Sequence, residues 1–270
     1  MPPPRKVVLV TGASSGIGLA CAEHLAAQGW LVYGASRRAP AHASFASVAM
    51  DVRRDDSVRD CIAQIMAAEG RIDAVVNNAG MAIAGSIEDT SIEEAREQLE
   101  INFFGVLRVC RAVLPLMREA RAGQIVNISS VAGLLAVPYQ GLYSASKFAL
   151  EGLTESLRLE VGDFGIRVVL IEPGDHCTAL TANRRWAAQS QTSPGYRDRC
   201  ERAIARMAED EQSGPPPGRV AHLVGRVLSR RNPRLRYTVG PAPERAAVWL
   251  KRLLPGAAIE LLMARYYSGV

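Results

Sequence analysis

Tyr143 and Lys147 stand four residues apart, and Ser130 lies thirteen residues before the tyrosine. On a helix, side chains at positions i and i+4 share a face, so the phenol and the ammonium would be neighbours. A free tyrosine has a pKa of about 10 and is a poor base at neutral pH. A lysine ammonium beside it, helped by a second positive charge, would lower this pKa by stabilising the phenolate. The spacing therefore favours an acid/base pair, although Tyr-x-x-x-Lys also occurs by chance on amphipathic helices.

Three glycines near the start of the chain have a spacing typical of nucleotide-binding turns. An apolar, β-branched run, Lys6–Val10, has the composition of a buried parallel strand and leads directly into Thr11–Gly18. Gly12, Gly16 and Gly18 would allow a tight turn, close approach of the backbone to a pyrophosphate, and a helix N-terminus that holds the anion. A plain strand-to-helix turn is the alternative. The flanking strand and helix patterns favour dinucleotide binding.

Taken together, the motifs resemble those of the short-chain dehydrogenase/reductase family. The resemblance rests, in the family's order and spacing, on Thr11–Gly18, Asn77–Gly80, Asn102, Ser130, Tyr143-x-x-x-Lys147 and Pro173-Gly174. These motifs span residues 5 to about 178, or about two thirds of the chain. Two further segments, Val32–Arg37 and Tyr143–Leu153, add a narrower resemblance to steroid- and retinol-type members.

Apolar runs alternate with helical patterns along the chain. This alternation predicts parallel βαβ units in a doubly wound, Rossmann-type α/β sheet of seven strands with helices on both faces. The strands are expected at residues 6–11, 30–36, 47–51, 73–77, 123–129, 166–172 and 235–240. We expect one domain over residues 1–270, with a substrate-side lid segment over 179–218 and a C-terminal helical extension over 241–270. The proline-rich stretch Ser213–Gly218 is expected to break a helix.

The resemblance implies catalytic roles for four residues. Hydride would pass between a nicotinamide and a carbonyl carbon, while Tyr143 gives or takes the proton on oxygen. Ser130 would hydrogen-bond the developing alkoxide, and Lys147 would hold the nicotinamide ribose and lower the tyrosine pKa. Asn102 matches the residue that positions a water in the family's proton relay. A helix-interior asparagine that bonds backbone is the alternative for Asn102.

Cofactor choice depends on the residues after the second strand. An acidic side chain there would hold the ribose 2′-hydroxyl of NAD, whereas an arginine would hold a 2′-phosphate. The chain has Ser36-Arg37-Arg38 and no acid at this point, which predicts NADP(H) with Arg37 on the phosphate. The full set of predicted cofactor contacts is Gly12, Ser14, Ser15, Gly16, Ile17, Gly18, Arg37, Arg38, Asp51, Val52, Asn78, Ala79, Gly80, Tyr143, Lys147, Pro173, Gly174, His176 and Thr178. His176 is expected to act through its backbone, because Tyr143 already fills the acid role.

The expected substrate pocket is chiefly apolar. Its candidate residues are Met81, Ser130, Leu135, Tyr139, Tyr143 and Trp186. We expect a hydrophobic ketone, aldehyde or alcohol of steroid, retinoid, fatty or polyketide type, and reduction as the favoured direction. An imine is an alternative acceptor. Two other functions are weighed: a nonenzymatic NADP-binding sensor or scaffold, which usually lacks part of the catalytic set, and a nucleotide-sugar epimerase or dehydratase, against which the glycine spacing and short chain argue.

Composition restricts the class of protein and its expected compartment but does not identify its function. The 270 residues carry a formal net charge of +5, and the excess lies between Arg184 and Arg236, with no nucleic-acid-binding motif. Five cysteines without C-x-x-C or metal spacing predict a reducing compartment and no metal. No signal peptide and no apolar run of about 18 residues is evident, so we expect a soluble, cytoplasmic protein. Helix contacts typical of the family suggest a homodimer or homotetramer, and the amphipathic C-terminal run favours a packing role over a membrane surface.

Overall fold

Within residues 5–38 and 44–268, which the computed structural model describes, seven parallel strands form one sheet. In chain order the strands of the fold are β1 (Val7–Thr11), β2 (Leu31–Ser36), β3 (Ala46–Ala49), β4 (Ala74–Asn77), β5 (Ile83–Ala84), β6 (Gly123–Ile128), β7 (Ile166–Pro173), β8 (Arg185–Trp186) and β9 (Arg236–Val239). The main sheet has the order β3-β2-β1-β4-β6-β7-β9. All seven strands lie within two residues of their predicted bounds. The doubly wound, Rossmann-type class is therefore confirmed.

Helices cover both faces of this sheet. They are α1 (Gly16–Ala27), α2 (Asp55–Glu69), α3 (Ile92–Leu99), α4 (Gly105–Glu119), α5 (Gly141–Val161), α6 (Leu180–Asn183), α7 (Arg197–Ser213), α8 (Gly218–Leu228), α9 (Ala242–Leu250) and α10 (Gly256–Ser268). The proline-rich stretch separates α7 from α8, as its composition predicted. No helix among the described residues is long and apolar enough to cross a bilayer.

The strand β1 shows why the central strands are apolar throughout. Val7 and Leu9 point into a core formed with α2, α4 and α5, whereas Val8 and Val10 point into a second core formed with α1 and α8. Both faces of the strand are buried, so its sequence is a continuous apolar run rather than an alternating one. This arrangement brings the carboxyl ends of β1, β4, β6 and β7 to one edge of the sheet, where ligands bind in such folds.

The segment over residues 179–218, for which the sequence predicts a lid, is joined to the body of the protein by a small second sheet that the sequence did not predict. The strand β8 pairs in parallel with β5. The amide of Arg185 donates to the carbonyl of Ala82 at 3.0 Å, and the amide of Ala187 donates to the carbonyl of Ala84 at 2.8 Å. Each of these strands has only two residues, which is too short for a hydrophobic pattern to predict it from the sequence. The pairing fixes one end of the lid beside the segment that follows β4.

Candidate active site

The glycine turn after β1 is packed tightly against the segment that follows β4. The hydroxyl of Thr11 accepts hydrogen bonds from the amides of Asn78 and Ala79, each at 3.0 Å. Gly12 has a φ of +68°, which favours glycine. A Cβ on Gly18 would lie 2.3 Å from the carbonyl oxygen of Gly12. The spacing of these glycines therefore reflects close backbone packing as well as turn geometry.

The N-terminus of α1 is suited to an anion. Ser15 precedes the helix in an extended conformation, and its side chain makes no capping hydrogen bond. The first turn contains no acidic residue, and Ser14 and Ser15 are exposed, so backbone N–H groups and hydroxyls remain available. Thr178, in the loop after β7, lies against this turn, because a Cβ on Gly16 would be 3.5 Å from its Cβ. This part of the structure fits the pyrophosphate of a dinucleotide.

The residues after β2 and β3 form a second polar region at the same edge. Arg37 and Arg38 directly follow β2 and are exposed. The Asp51 carboxylate pairs with Arg53 at 2.6 Å, and this pairing, assisted by the charge of Arg37, holds the pKa of Asp51 below its usual value. Val52 is buried against α4, where a Cβ on Gly105 would clash with it. Arg37 and Asp51 are therefore neighbours, as their places after adjacent strands predict.

Asn102 lies in a π-helical turn, Glu100–Phe104, between α3 and α4. Its side-chain oxygen accepts from the amide of Met81 at 2.9 Å, and its nitrogen donates to the Met81 carbonyl and to the Ser146 hydroxyl, each at 3.0 Å. The sequence predicted a regular helix here, and π-turns often mark functional sites. The side chain bonds backbone, as the alternative interpretation held. It also links α5, through Ser146, to the segment after β4.

Tyr143, Lys147 and Ser130 come together at the carboxyl end of β6. Lys147 is buried, and its ammonium donates to the carbonyl of Ile128 at 2.9 Å. The same ammonium lies 5.7 Å from the centroid of the Tyr143 ring. Ser130 caps a 3-10 turn by accepting from the amide of Ala132 at 3.0 Å, and it also hydrogen-bonds Tyr143. The structure thus brings the three residues into one cluster.

Burial changes the pKa values of the two titratable groups of this cluster, Tyr143 and Lys147. Burial raises the pKa of Tyr143 to about 12, against the opposing hydrogen bond from Ser130. Burial lowers the pKa of Lys147 to about 8, against the opposing charge of Glu151. The chain's own groups therefore do not lower the pKa of Tyr143, since the desolvation of the phenolate outweighs the hydrogen bond from Ser130 and the charge of Arg184.

The loop after β7 closes the cofactor side of the site. Pro173 ends β7, and the amide of Gly174 donates to the carbonyl of Val239 at 2.8 Å. His176 is buried, its Nδ1 lies 2.9 Å from the Gly174 carbonyl oxygen, and burial lowers its pKa. The imidazole thus packs against the backbone of its own loop. Beside this loop is a cavity of about 310 Å³ lined by Cys177, Thr178, Thr181, Ala182 and Gln212.

The predicted substrate residues differ in their surroundings. Leu135 is buried, whereas Tyr139 adopts a φ of +59° and its carbonyl accepts from the amide of Gly85 at 2.8 Å. Tyr139 and Trp186 pack with Val137 on buried residues of α7. Trp186 also borders a cavity of about 390 Å³. Trp186 therefore packs against α7 and also lines this cavity.

Two charged pairs on the substrate side were missed by the sequence argument. The Arg184 side chain is 3% exposed and donates to Glu211, which also accepts from Thr181. The amide of Asp175 donates to Glu244 at 2.9 Å, and burial together with this neighbouring carboxylate raises the pKa of Asp175 to about 8. The charges of Glu211, Arg184 and Asp175 all act on Tyr143. No short motif signals these pairs, because their partners lie 27 and 69 residues apart.

The fold and its motifs define a Rossmann-type oxidoreductase. The chain belongs to the short-chain dehydrogenase family, whose model matches residues 6–189. A curated relative, the 3-ketodihydrosphingosine reductase of Bacteroides thetaiotaomicron, is 40% identical over 264 residues, covering 97% of this chain and 98% of its own. Retinol dehydrogenase 8 of Homo sapiens is 41% identical over 184 residues, covering 63% of this chain and 58% of its own. The resemblance to the family, with related retinol-type members, is confirmed.

Solved structures agree with this assignment. A short-chain dehydrogenase from Streptomyces avermitilis superposes with a TM-score of 0.80 at 34% identity, covering 97% of this chain and 96% of its own. A family member from Burkholderia phymatum, solved in complex with NAD, gives a TM-score of 0.77 at 26% identity, covering 96% and 95%. The family binds a nicotinamide cofactor.

Proposed function

We propose that the protein is an NADP(H)-dependent reductase of hydrophobic ketones in which Tyr143 transfers the proton. The observation that carries this proposal is the cluster of Tyr143, Ser130 and Lys147 at the edge of the sheet where the glycine turn also lies. Ketone reduction needs a hydride for the carbon and a proton for the oxygen. Bound NADPH would supply the hydride. The chain's own residues would orient the carbonyl and deliver the proton.

Proton transfer from Tyr143 favours reduction of the ketone over oxidation of the alcohol. A phenol whose pKa burial has raised to about 12 holds its proton firmly at neutral pH. The alkoxide that develops on a reduced ketone is a stronger base than a phenolate, so proton transfer from Tyr143 to that oxygen is downhill. Ser130, already hydrogen-bonded to Tyr143, would donate to the same oxygen. In the oxidising direction, Tyr143 would need the positive charge of an oxidised nicotinamide to become a base.

NADP(H) rather than NAD(H) follows from the charge after β2. Arg37 and Arg38 are exposed there, the sequence after the strand has no acid before Asp51, and the Asp51 carboxylate near Arg37 is paired with Arg53. A guanidinium can hold a 2′-phosphate by charge-assisted hydrogen bonds, whereas an acid would repel it. Lys147 would hold the nicotinamide ribose from its place beside Ile128. His176 and Thr178 would approach the nicotinamide from the loop after β7.

The proposed substrate is a long-chain or otherwise hydrophobic ketone. The relative from Bacteroides thetaiotaomicron covers nearly the whole of this chain and acts, by its name, on 3-ketodihydrosphingosine. The candidate walls Leu135, Tyr139 and Trp186 are apolar or aromatic, which suits an aliphatic chain more than a sugar. We propose that the lid over residues 179–218 chooses the substrate. Homodimer or homotetramer contacts through α4 and α5 are part of the same proposal, and exposed Phe148 and Leu159 on α5 support them.

A substrate screen tests the proposed function. Purified protein is mixed with NADPH and, in parallel, NADH, and cofactor oxidation is followed with 3-ketodihydrosphingosine, steroid ketones, retinaldehyde, β-ketoacyl thioesters and cyclic imines. We expect turnover of a hydrophobic ketone with NADPH and at least about tenfold slower turnover with NADH, since loss of one phosphate contact costs about 1.5 to 3 kcal/mol. Equal rates with both cofactors would contradict the proposed role of Arg37. Turnover of imines alone would contradict the ketone assignment.

A further inference from the structure

A group of charged side chains, two of them buried, begins one helical turn from Lys147. Glu151 follows Lys147 by four residues on α5 and is 5% exposed. Arg236, on the edge strand β9, donates from Nε to Glu151 Oε2 at 3.0 Å. The same nitrogen lies 3.3 Å from Oε1 of Glu172, which is 1% exposed on β7. We call Glu151, Arg236 and Glu172 the buried charge network.

Neighbouring polar groups hold this network in place. Thr238 follows Arg236 by two residues on β9, and therefore shares a face of the strand with it. Its hydroxyl donates to Glu172 Oε2 at 2.6 Å, and the two residues are paired in the sheet register. The nearby Ser129 hydroxyl opposes the rise that burial causes in the pKa of Glu151. The network thus connects α5 with the last two strands of the sheet.

The chemistry of Lys147 explains what such a network would do. An ammonium removed from water loses hydration, and burial accordingly lowers the pKa of Lys147 to about 8. The charge of Glu151 opposes this shift. Burial also raises the pKa of Glu151 itself, and the hydrogen bond and charge of Arg236 oppose that rise. Arg236 therefore favours the carboxylate form of Glu151, and that carboxylate favours the ammonium form of Lys147.

We propose that Glu151, Arg236 and Glu172 are positioning residues that hold Lys147 charged and in place beside Tyr143. This inference rests on the proposed function, because it is that function which gives Lys147 its role. Glu172 meets the same guanidinium nitrogen as Glu151 and so helps to fix the direction in which Arg236 approaches Glu151. The charged groups that face the network are Lys147 and Glu155 on α5, Glu172 on β7, Arg236 on β9 and Arg252 after α9.

The lysine content of the chain makes a direct test possible. Its lysines are Lys6, Lys147 and Lys251 alone, so protein labelled with ¹³C-lysine gives three side-chain signals. The ¹³Cε shift reports protonation of the attached nitrogen. Lys6 and Lys251 are exposed and serve as references in the same spectrum. The signal of Lys147 is assigned with Lys147→Arg. The titration needs neither cofactor nor substrate.

Glu151→Gln is the main variant. We expect it to lower the pKa of Lys147 from about 8 to about 7, the shift typical of losing one nearby opposite charge. At pH 7.5 the charged fraction of Lys147 would fall from about three quarters to about one quarter. Arg236→Met should shift the Lys147 titration in the same direction, because Glu151 then takes up a proton. Arg236→Lys, which keeps the charge, should restore most of the wild-type titration.

Glu155→Gln is the matched control. Glu155 also binds Arg236, but from the exposed side and one turn further along α5. Its loss should leave the Lys147 signal unchanged. An amide spectrum of each variant shows that the fold is intact. In active protein, the pH dependence of kcat/KM should shift with the Lys147 titration in Glu151→Gln, which a network that merely supports the fold would not cause.

The outcomes separate this inference from the proposed function. If Lys147 titrates at the same pH in wild-type protein and in Glu151→Gln, the network does not control its charge and the inference is wrong, whatever the activity. If the titration shifts but Tyr143→Phe retains full turnover, the network is real and the proposed reductase mechanism is wrong. A shift in Glu151→Gln and Arg236→Met, with none in Glu155→Gln, is the result we expect.

Discussion

The ammonium of Lys147 lies 5.7 Å from the centroid of the Tyr143 ring, one helical turn away on α5. The helical spacing predicts this proximity. The hydrogen bond from the same ammonium to the carbonyl of Ile128 was not predicted, and it ties the lysine to the end of β6. Because α5 and β6 both contribute, the orientation of the pair depends on helix-to-sheet packing as well as on the helix itself.

Arg37→Ala should weaken NADPH binding by about 10- to 100-fold, since it removes a charge-assisted contact to the 2′-phosphate. NADH, which lacks that phosphate, should bind about as before. Fluorescence titration of both cofactors measures the two dissociation constants. Arg54→Ala is the control, because Arg54 is an exposed arginine near the same edge that pairs with Asp56. An equal loss of affinity for both cofactors in Arg37→Ala would contradict the phosphate assignment.

Gly18→Ala should destabilise the protein by at least about 2 kcal/mol and weaken cofactor binding. The added Cβ would lie 2.3 Å from the carbonyl oxygen of Gly12 and 2.4 Å from the Asn78 side-chain nitrogen, so backbone must shift. Gly152→Ala is the control, since a Cβ on Gly152 in α5 meets nothing within 4 Å. That change should be neutral or stabilising by up to about 1 kcal/mol. Urea unfolding compares the two variants, and equal stabilities would argue against the close packing of the glycine turn.

The carboxylate pair of Asp175 and Glu244 should make stability depend on pH. The pKa of Asp175 is raised to about 8 by burial and by Glu244, whereas an unfolded aspartate has a pKa of about 4. The folded protein therefore binds the proton more tightly, and this contribution to stability is lost as the pH rises from about 4 to about 8. Glu244→Gln should reduce this loss. Unfolding free energies at pH 5 and pH 8 test the point, with Asp198→Asn on the exposed start of α7 as control. If the free energy of unfolding depends on pH in Glu244→Gln as it does in the wild-type protein, Glu244 does not influence the protonation of Asp175.

The central strands of the seven-stranded sheet could be predicted from the sequence because they are buried and mainly apolar, as β1 shows. The short strands β5 and β8 could not, since two residues carry no periodicity. The π-helical turn at Glu100–Phe104 also escaped prediction, because its residues have an ordinary helical pattern. Its effect is to direct Asn102 towards Met81 and Ser146.

The candidate site was predictable where its residues share one element or one motif. Tyr143 and Lys147 lie on one helix, and the glycine turn is contiguous. Long-range pairs were not predictable in the same way: Glu151 and Arg236 are 85 residues apart, and Asp175 and Glu244 are 69 apart. The lowering of the tyrosine pKa by Lys147 and an oxidised nicotinamide stays a prediction, whereas the desolvation by the surrounding fold, which raises this pKa, is encoded by no motif.

The most direct test of the central claim compares cofactor binding with turnover in Tyr143→Phe. This change removes one hydroxyl and leaves the ring, so NADPH should bind with about the wild-type affinity. Turnover of the best ketone from the screen should fall by at least about 100- to 10,000-fold, the usual contribution of a positioned acid. Tyr33→Phe is the control: it removes a hydroxyl that donates to Glu69 at 2.6 Å, outside both this cluster and the segment 179–218, and should keep full activity. Intact NADPH binding with lost turnover is the predicted result, and retained turnover in Tyr143→Phe would contradict the account.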